Sequence, residues 1–445
     1  MTTSPTPTAV LDDALALALT SARAAAPAYR VSEARQITRR GILWLGQTCN
    51  LRCQFCYFLD RITNEAHPEH HFMSLDKAKT ICKTLVDYYG NNSIDIQGGE
   101  PTLYPQIFDL VSYCTDIGLS PTLITNAQAL ANRDVATRYR EARIRDFLVS
   151  VQGLGAVYDQ LVGRQGAHVR QMKGLRNLQE VGIPFRFNTV LSKAALPQLA
   201  DIAELAVRTG AQVVNFLGFN PFNDQTTGKR SADNVPTYAE VGAVLDPVLD
   251  RLADARVEAN VRYLPLCIVA ERHRSAMYDF QQIPYDLHEN DFASWSWTDL
   301  PAQRTRDAEM TPPFGLGPRL RLGGLRGPIR RLAVRRPGLA KHLHAIKQRM
   351  ERLWADRESE ASRDARYRAE ARMRSQEYTG YRHVNACRSC DAASICDGFY
   401  GDYTELFGEQ EARPITIGRR VDNPQHFTQE QKKRIHPLDG DWVDR

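Results

Sequence analysis

At 445 residues, 43% hydrophobic and 24% charged with a net charge of +5, the chain has the makeup of a soluble globular protein large enough for two domains. No apolar run approaches the roughly 18 residues a membrane span needs. The opening Met-Thr-Thr-Ser-Pro-Thr-Pro-Thr has neither the basic nor the apolar segment of a signal peptide, so a cytoplasmic protein with no membrane partner is expected. Nine cysteines in that compartment argue for metal or redox chemistry over disulfides.

Residues 1–11 are rich in Pro and Thr and read as a disordered start, and Asp12–Ala26 has helical propensity. The first strand is predicted at Ile42–Leu45. It runs directly into Cys49-Asn50-Leu51-Arg52-Cys53-Gln54-Phe55-Cys56, three cysteines at the spacing C-x3-C-x2-C. Three thiolates make a deficient set, because iron–sulfur cubanes and structural zinc both normally take four protein ligands. Either a fourth ligand arrives from elsewhere in the chain, or one metal corner is left open for something other than protein. The His-rich run 66–71 contains Pro68, which breaks any helix that would align its side chains, and it is expected to be a solvated loop.

A helix follows with Cys82, Leu85, Val86 and Tyr89 on one face, which assigns Cys82 to packing. Strand Ser93–Gln97 leads into Gly98-Gly99-Glu100-Pro101-Thr102, where two glycines permit close backbone approach and Glu100 supplies a carboxylate. The next helix, 105–117, places Cys114 on its core face. Four further strands are predicted at 121–125, 147–151, 185–190 and 213–217, with helices at 133–142, 167–181 and 197–208 between and after them. Six βα repeats between 42 and 250 imply an α/β fold: a parallel sheet curled into a partial (β/α)6 TIM-like barrel, with the site at the strands' C-terminal ends. Both marked loops, 49–56 and 98–101, fall at that end.

After residue 250 the pattern changes. Residues 257–268 read as an extended segment that carries Cys267 beyond the barrel, and 278–300 is aromatic-rich and irregular. Between Pro318 and Arg374 there are 17 Lys and Arg against 6 Asp and Glu, with a long helix expected from the apolar stripe Leu339, Leu343, Ile346, Met350, Leu353 and Trp354. Cys387, Cys390 and Cys396 follow at the spacing C-x2-C-x5-C. The domain reading is an N-terminal extension over 1–38, the barrel over 39–255, a C-terminal cysteine-bearing region over 256–405 with a basic insertion at 311–376, and a tail over 406–445.

The pairing of Cys49-x3-Cys53-x2-Cys56, with aromatic Phe55 before the last cysteine, and Gly98-Gly99-Glu100-Pro101 one βα unit later resembles the radical SAM superfamily. That resemblance covers roughly residues 40–250. It implies that Cys49, Cys53 and Cys56 hold three irons of a [4Fe–4S] cluster whose fourth iron chelates S-adenosylmethionine. The product would be a 5′-deoxyadenosyl radical that abstracts a substrate hydrogen atom. It further implies that Glu100 and the Gly98-Gly99 backbone hold the methionine ammonium, with Pro101 completing the motif. Asn126, Ser150 and Asn188 are the implied contacts for the carboxylate and ribose. The chain departs from the family pattern in having Asn126-Ala127 in place of Asn-Gly and Gln152 in place of Asp.

The second cysteine group resembles the C-terminal run of SPASM and twitch domains, which carry auxiliary [4Fe–4S] clusters, although the usual next cysteine is replaced by Tyr400. With three cysteines assigned to the first cluster and Cys82 and Cys114 to the core, Cys267, Cys387, Cys390 and Cys396 remain. Four thiolates suit one fully ligated auxiliary cubane, a structural zinc site being the alternative. A saturated second cluster can take the electron left after hydrogen abstraction. The expected function is therefore net oxidation of a small-molecule metabolite, a sugar, aminocyclitol or nucleotide-linked compound. A flavodoxin or ferredoxin would supply electrons.

Two alternatives stand beside this reading. One is a peptide maturase forming crosslinks or epimers in a ribosomal precursor, disfavoured because only about 40 residues precede the barrel where such enzymes often carry a leader-binding domain. The other is a non-catalytic metal-binding protein. The basic segment 318–374 suits a phosphorylated substrate or an acidic carrier, and no recognisable nucleic-acid module accompanies it.

Overall fold

The computed structural model describes residues 7–18, 30–32, 40–56, 58–67, 69–87, 90–219, 230–285, 290–291 and 358–436, together with the isolated positions 346, 349, 350 and 353. The basic insertion up to residue 357, the aromatic run beyond Tyr285 and most of the stripe Leu339–Trp354 lie outside the described residues.

The six expected strands are all present: β2 (Arg40–Trp44), β3 (Ser93–Gln97), β4 (Ser120–Thr125), β5 (Asp146–Ser150), β6 (Phe185–Leu191) and β7 (Val213–Gly218). They pair parallel in sequence order. The sheet is longer than the expected six. Glu258–Arg262, read in the sequence as an extended segment beyond the barrel, is β8 and pairs parallel with β7. The two-residue β9 (Asn290–Asp291) adds to the opposite edge, on β2. Strands β8 and β9 are the two ends of the sheet order, so the barrel is open rather than closed.

Helices α3 (Leu75–Asp87), α4 (Ile107–Asp116), α5 (Arg133–Glu141), α7 (Ala167–Val181), α8 (Leu199–Thr209) and α9 (Tyr238–Asp254) cover the sheet, with α6 (Gly155–Val162) and the short α2 (Leu59–Thr63) near the cysteine loop. Of the face expected for α3, Cys82 and Leu85 are buried, Val86 is half-buried and Tyr89 lies outside the described residues. Ala78, Ile81, Cys82 and Leu85 of α3 and Ile107, Leu110, Val111 and Cys114 of α4 face the core. Cys82 and Cys114 are fully buried with their sulfurs 3.6 Å apart, which confirms their packing role.

The N-terminal helix α1 runs over Pro7–Ala18, earlier than expected. It is ordered because Leu11, Ala14, Leu15 and Ala18 bury against α7 and α8.

The strands' N-terminal ends are closed by ions. Arg186 donates to both oxygens of Asp146, at 2.8 and 3.2 Å, with Thr122 bonded to the same carboxylate. Arg40 and Asp95 pair at 3.1 Å. The chain's later part returns here: β10 (Arg434–Ile435) pairs antiparallel with β1 (Arg30–Val31), and Lys433 Nζ meets Glu258 of β8 at 2.8 Å. Beyond the barrel, α10 (Glu360–Arg372) precedes and α11 (Gly401–Phe407) follows the Cys387–Cys396 run in the chain. Among the described residues no helix is long and apolar enough to cross a membrane.

Candidate cluster and cofactor sites

The cysteine loop leaves the C-terminal end of β2 and is held on three sides. On one side the loop before α3 supports it: Gln47 N–H donates to the carbonyls of Glu69 and His70 at 2.8 and 3.1 Å, and the Thr48 hydroxyl donates to the His70 carbonyl at 2.8 Å. The run 66–71 is only in part the solvated loop its composition suggests: Ala66 and His71 are exposed, but Glu69 and His70 are buried, and Glu69 pairs with Arg61 at 2.7 Å. On the second side, Arg52 and Gln54 donate their N–H groups to the carbonyls of Val162 and Leu161 at the end of α6.

On the third side lies the Gly98-Gly99-Glu100-Pro101 loop. Gly99 N–H donates to the Gly46 carbonyl at 2.8 Å and Glu100 N–H to the Thr48 carbonyl at 2.9 Å. A Cβ on Gly99 would come within 2.2 Å of the Thr48 oxygen. The glycines thus serve first to bring this backbone onto the backbone of the cysteine loop. Pro101 is buried and opens a 3-10 turn over Pro101–Leu103.

Within the loop, Cys56 N–H donates to the Cys53 carbonyl at 3.1 Å and Leu51 N–H points at the Cys49 sulfur at 3.5 Å. Cys56 lies close enough to raise the thiols of Cys49 and Cys53 electrostatically, and Cys49 adds to the rise at Cys53. Burial pushes Cys49 up to about 12 and Cys53 well above the ordinary thiol value, with Glu100 adding to the effect. Three thiolates here need a strongly cationic partner, which iron supplies. Phe55 packs, partly buried, against the barrel core.

Glu100 is 1% exposed. Its Oε1 accepts from Thr102 N–H at 3.1 Å and from the Thr102 and Thr125 hydroxyls, both at 2.7 Å; its Oε2 accepts from Asn126 N–H at 2.8 Å. Burial raises its carboxyl, and these donors oppose the rise. Asn126 in turn uses its side chain within the protein: Oδ1 accepts from Gln128 N–H at 3.0 Å and Nδ2 donates to Asn50 Oδ1 at 2.8 Å. The residue after it, Ala127, holds φ at 61°, a left-handed conformation that explains why glycine suits this position.

Ser150 and Asn188 are register partners on β5 and β6, half-buried, with no side-chain hydrogen-bond partner among the described residues. Gln152 bridges the same two strands, accepting from Val190 N–H at 2.7 Å and donating to the Asn188 carbonyl at 3.1 Å. Sequence reasoning missed Asn50, Thr102, Thr125 and Gly46. Asn50 lies between the first two cysteines and was in view without a role, whereas the others act through neighbours on separate strands.

Cys267, on a 3-10 turn (Leu266–Ile268) after β8, lines one pocket together with Cys387, Cys390 and Cys396. Burial raises the thiols of Cys267, Cys387 and Cys396, and neighbouring thiols of the group add to the rise. Backbone N–H groups aim at two of the sulfurs, Gly398 at Cys396 and Ile415 at Cys390, both at 3.4 Å. Such bonds are a lever on cluster potential. Tyr400, where the usual run has cysteine, is buried among Tyr381 and Arg230. Among the described residues no three Cys, His, Asp or Glu side chains converge on a single-ion position.

The family model of the radical SAM superfamily matches residues 45–206, from the end of β2 through α8. Over that range the chain is similar to the radical SAM superfamily. Members bind S-adenosylmethionine and a [4Fe–4S] cluster, and the thiol triad with its glycine loop fits that pair. The second cysteine group lies outside the matched range.

An AdoMet-dependent heme synthase from Methanosarcina barkeri is 31% identical over 51% of this chain and 62% of its own length. A PqqA peptide cyclase from Rhodopseudomonas palustris is 30% identical over 47% of this chain and 54% of its own. SuiB of Streptococcus suis bound to S-adenosylmethionine is 20% identical, with a TM-score of 0.42 over 51% of this chain and 50% of that one. The chain spans about half the length of the curated relatives it matches.

Proposed function

We propose that the chain is a radical SAM enzyme that abstracts a hydrogen atom from its substrate and completes a net oxidation with the help of a second, C-terminal cluster. The observation that carries this reading is the docking of the Gly98–Pro101 loop onto the cysteine loop through the Gly99–Gly46 and Glu100–Thr48 bonds. It sets a three-thiolate site beside a buried carboxylate at the barrel's C-terminal end.

When bound, a [4Fe–4S] cluster with S-adenosylmethionine supplies a 5′-deoxyadenosyl radical. Cys49, Cys53 and Cys56 would hold three irons and leave the fourth to the methionine amino and carboxylate groups. The Gly98-Gly99 backbone and Oε2 of Glu100, which has one protein donor among the described residues, would accept from the methionine amino N–H groups. Ser150 and Asn188, side by side and without side-chain partners among the described residues, would serve the ribose and carboxylate. Cys267, Cys387, Cys390 and Cys396 would ligate the auxiliary cluster in a SPASM- or twitch-like region, and a flavodoxin or ferredoxin would deliver electrons. The sheet would exclude water on the barrel side.

The substrate read from the sequence is a small-molecule metabolite. A peptide is the second reading, favoured by the similarity to PqqA peptide cyclases. The test is anaerobic incubation of the reconstituted protein with S-adenosylmethionine and dithionite. Formation of 5′-deoxyadenosine that needs reductant and is lost on replacing Cys49, Cys53 and Cys56 by Ala supports the assignment; its absence from the intact protein refutes it. Deuterium transfer into 5′-deoxyadenosine from labelled candidate metabolites or precursor peptides then separates the two substrate classes.

A further inference from the structure

Asn50 and Asn126 are 76 positions apart, yet Asn126 Nδ2 donates to Asn50 Oδ1 at 2.8 Å. The orientation of the Asn126 amide is fixed on its other side, where Oδ1 takes the N–H of Gln128 at 3.0 Å. Its main-chain N–H is fixed by Glu100 Oε2 at 2.8 Å, and its carbonyl accepts from Gln171 Nε2 at 3.2 Å. Asn126 is 9% exposed and Glu100 1%. Asn50 sits between Cys49 and Cys53, and its carbonyl accepts from Arg164 at 3.4 Å. A path of hydrogen bonds therefore runs from the buried carboxylate, through Asn126, into the middle of the cysteine loop.

We infer that Asn126 is a positioning residue that latches the cysteine loop through Asn50, with Glu100 as the anchor of the latch. The inference rests on the radical SAM reading of the loop. It reassigns Asn126, which the family resemblance had offered as a cofactor contact, because both ends of its side chain are engaged by protein. The other moorings of the loop, at Gly46–Thr48 and at Arg52–Gln54, lie on either side of Asn50. The latch holds the span between them, which carries Cys49. A thiolate set a few tenths of an ångström out of place degrades electron transfer to the cofactor without preventing its binding.

The test compares Asn50→Leu, which removes the acceptor, Asn50→Asp, which keeps it, and Asn126→Asp, which keeps the bond to Gln128 but turns an acceptor toward Asn50. Hydrogen exchange of residues 46–56 in the metal-free protein is read first, with no cofactor involved. One hydrogen bond of ordinary strength predicts exchange about three- to tenfold faster in Asn50→Leu and Asn126→Asp, and near wild type in Asn50→Asp. The Asn50→Leu/Asn126→Asp double variant should be no faster than either single one.

In the reconstituted protein, the latch variants should lose turnover of S-adenosylmethionine with little change in its KM. Unchanged exchange in both latch variants overturns the latch, as does a raised KM confined to Asn126→Asp, which would make Asn126 a direct ligand. If Asn50→Leu does not fold, Asn126→Asp carries the same comparison alone. Failure of the wild-type protein to cleave S-adenosylmethionine would sink the enzyme assignment while leaving the exchange result standing.

Discussion

The α-carbon of Gly98 lies so close to the Gly46 carbonyl that a β-carbon there would stand 2.2 Å from the oxygen, and its φ of 145° is one that L side chains rarely adopt. The first glycine of the GGEP loop is thus demanded by the neighbouring cysteine loop as well as by any ligand. Gly98→Ala should push the two loops apart, at a stability cost of about 1–3 kcal/mol from overpacking. Reductive formation of 5′-deoxyadenosine should fall at least about tenfold, since that shift displaces the reacting groups. Iron bound by the C-terminal quartet should be unaffected, and iron analysis beside single-turnover rates checks both halves.

The two cysteine groups occupy separate loops, one between β2 and α2 and one beyond β8, and no cysteine is shared between them. Anaerobic reconstitution should load about eight irons per chain, four for each cubane. Replacing Cys387 and Cys390 together by Ala should leave about four and preserve reductive cleavage of S-adenosylmethionine, while substrate oxidation is lost. Loading of about four irons in the unmodified chain would refute the second cluster.

Six strands were legible because each carries a short apolar run followed by a helical stripe, as in Ile94 and Ile96 before Ile107, Leu110 and Val111. β8 was not legible as part of the sheet. Glu258 and Asn260 interrupt it with polar side chains whose partner, Lys433, lies more than 170 positions away. The burial of Glu69 and His70 was hidden for the same reason, since their carbonyls serve Gln47 and Thr48 across the cysteine loop. The Cys49–Cys56 run, the Cys387–Cys396 run and the GGEP loop could be read because each motif is local in sequence. The Asn126–Asn50 contact could not, because nothing in either residue's neighbourhood points to the other. Counting nevertheless placed Cys267 with the distant Cys387, Cys390 and Cys396, because thiols leave few ways to be divided.

Asp146 gives the fold an acid-sensitive point. Burial alone would raise its carboxyl, but Arg186, Arg145 and the Thr122 hydroxyl outweigh burial and hold it well below the usual carboxylate range. A lowered pKa in the folded state means the group's contribution is complete above the unfolded value of about 3.9 and is lost as pH falls below it. Asp146→Asn should therefore destabilise the protein at pH 7 and flatten the acid limb of its stability curve. Urea unfolding midpoints between about pH 3 and pH 7 provide the check. An acid limb as steep as that of the wild type would show that Asp146 does not supply it.

The Lys433–Glu258 pair ties the returning chain to the last long strand of the barrel. Both side chains are about nine-tenths buried, at 10% and 11% exposure, and Lys433 Nζ also donates to Asn260. Arg434 N–H takes the second Glu258 oxygen at 2.9 Å, so the carboxylate is held from two sides by one short segment. Lys433→Met would leave Glu258 buried with its charge half-compensated, which costs about 3–5 kcal/mol for pairs of this kind. Glu258→Gln/Lys433→Met removes both charges and should recover most of that loss, because the penalty lies in the orphaned carboxylate and not in the missing attraction. Unfolding of the three proteins in urea at pH 7 decides it. A double variant as unstable as Lys433→Met would mean that the lysine stem, packed along β8, contributes more than its charge does.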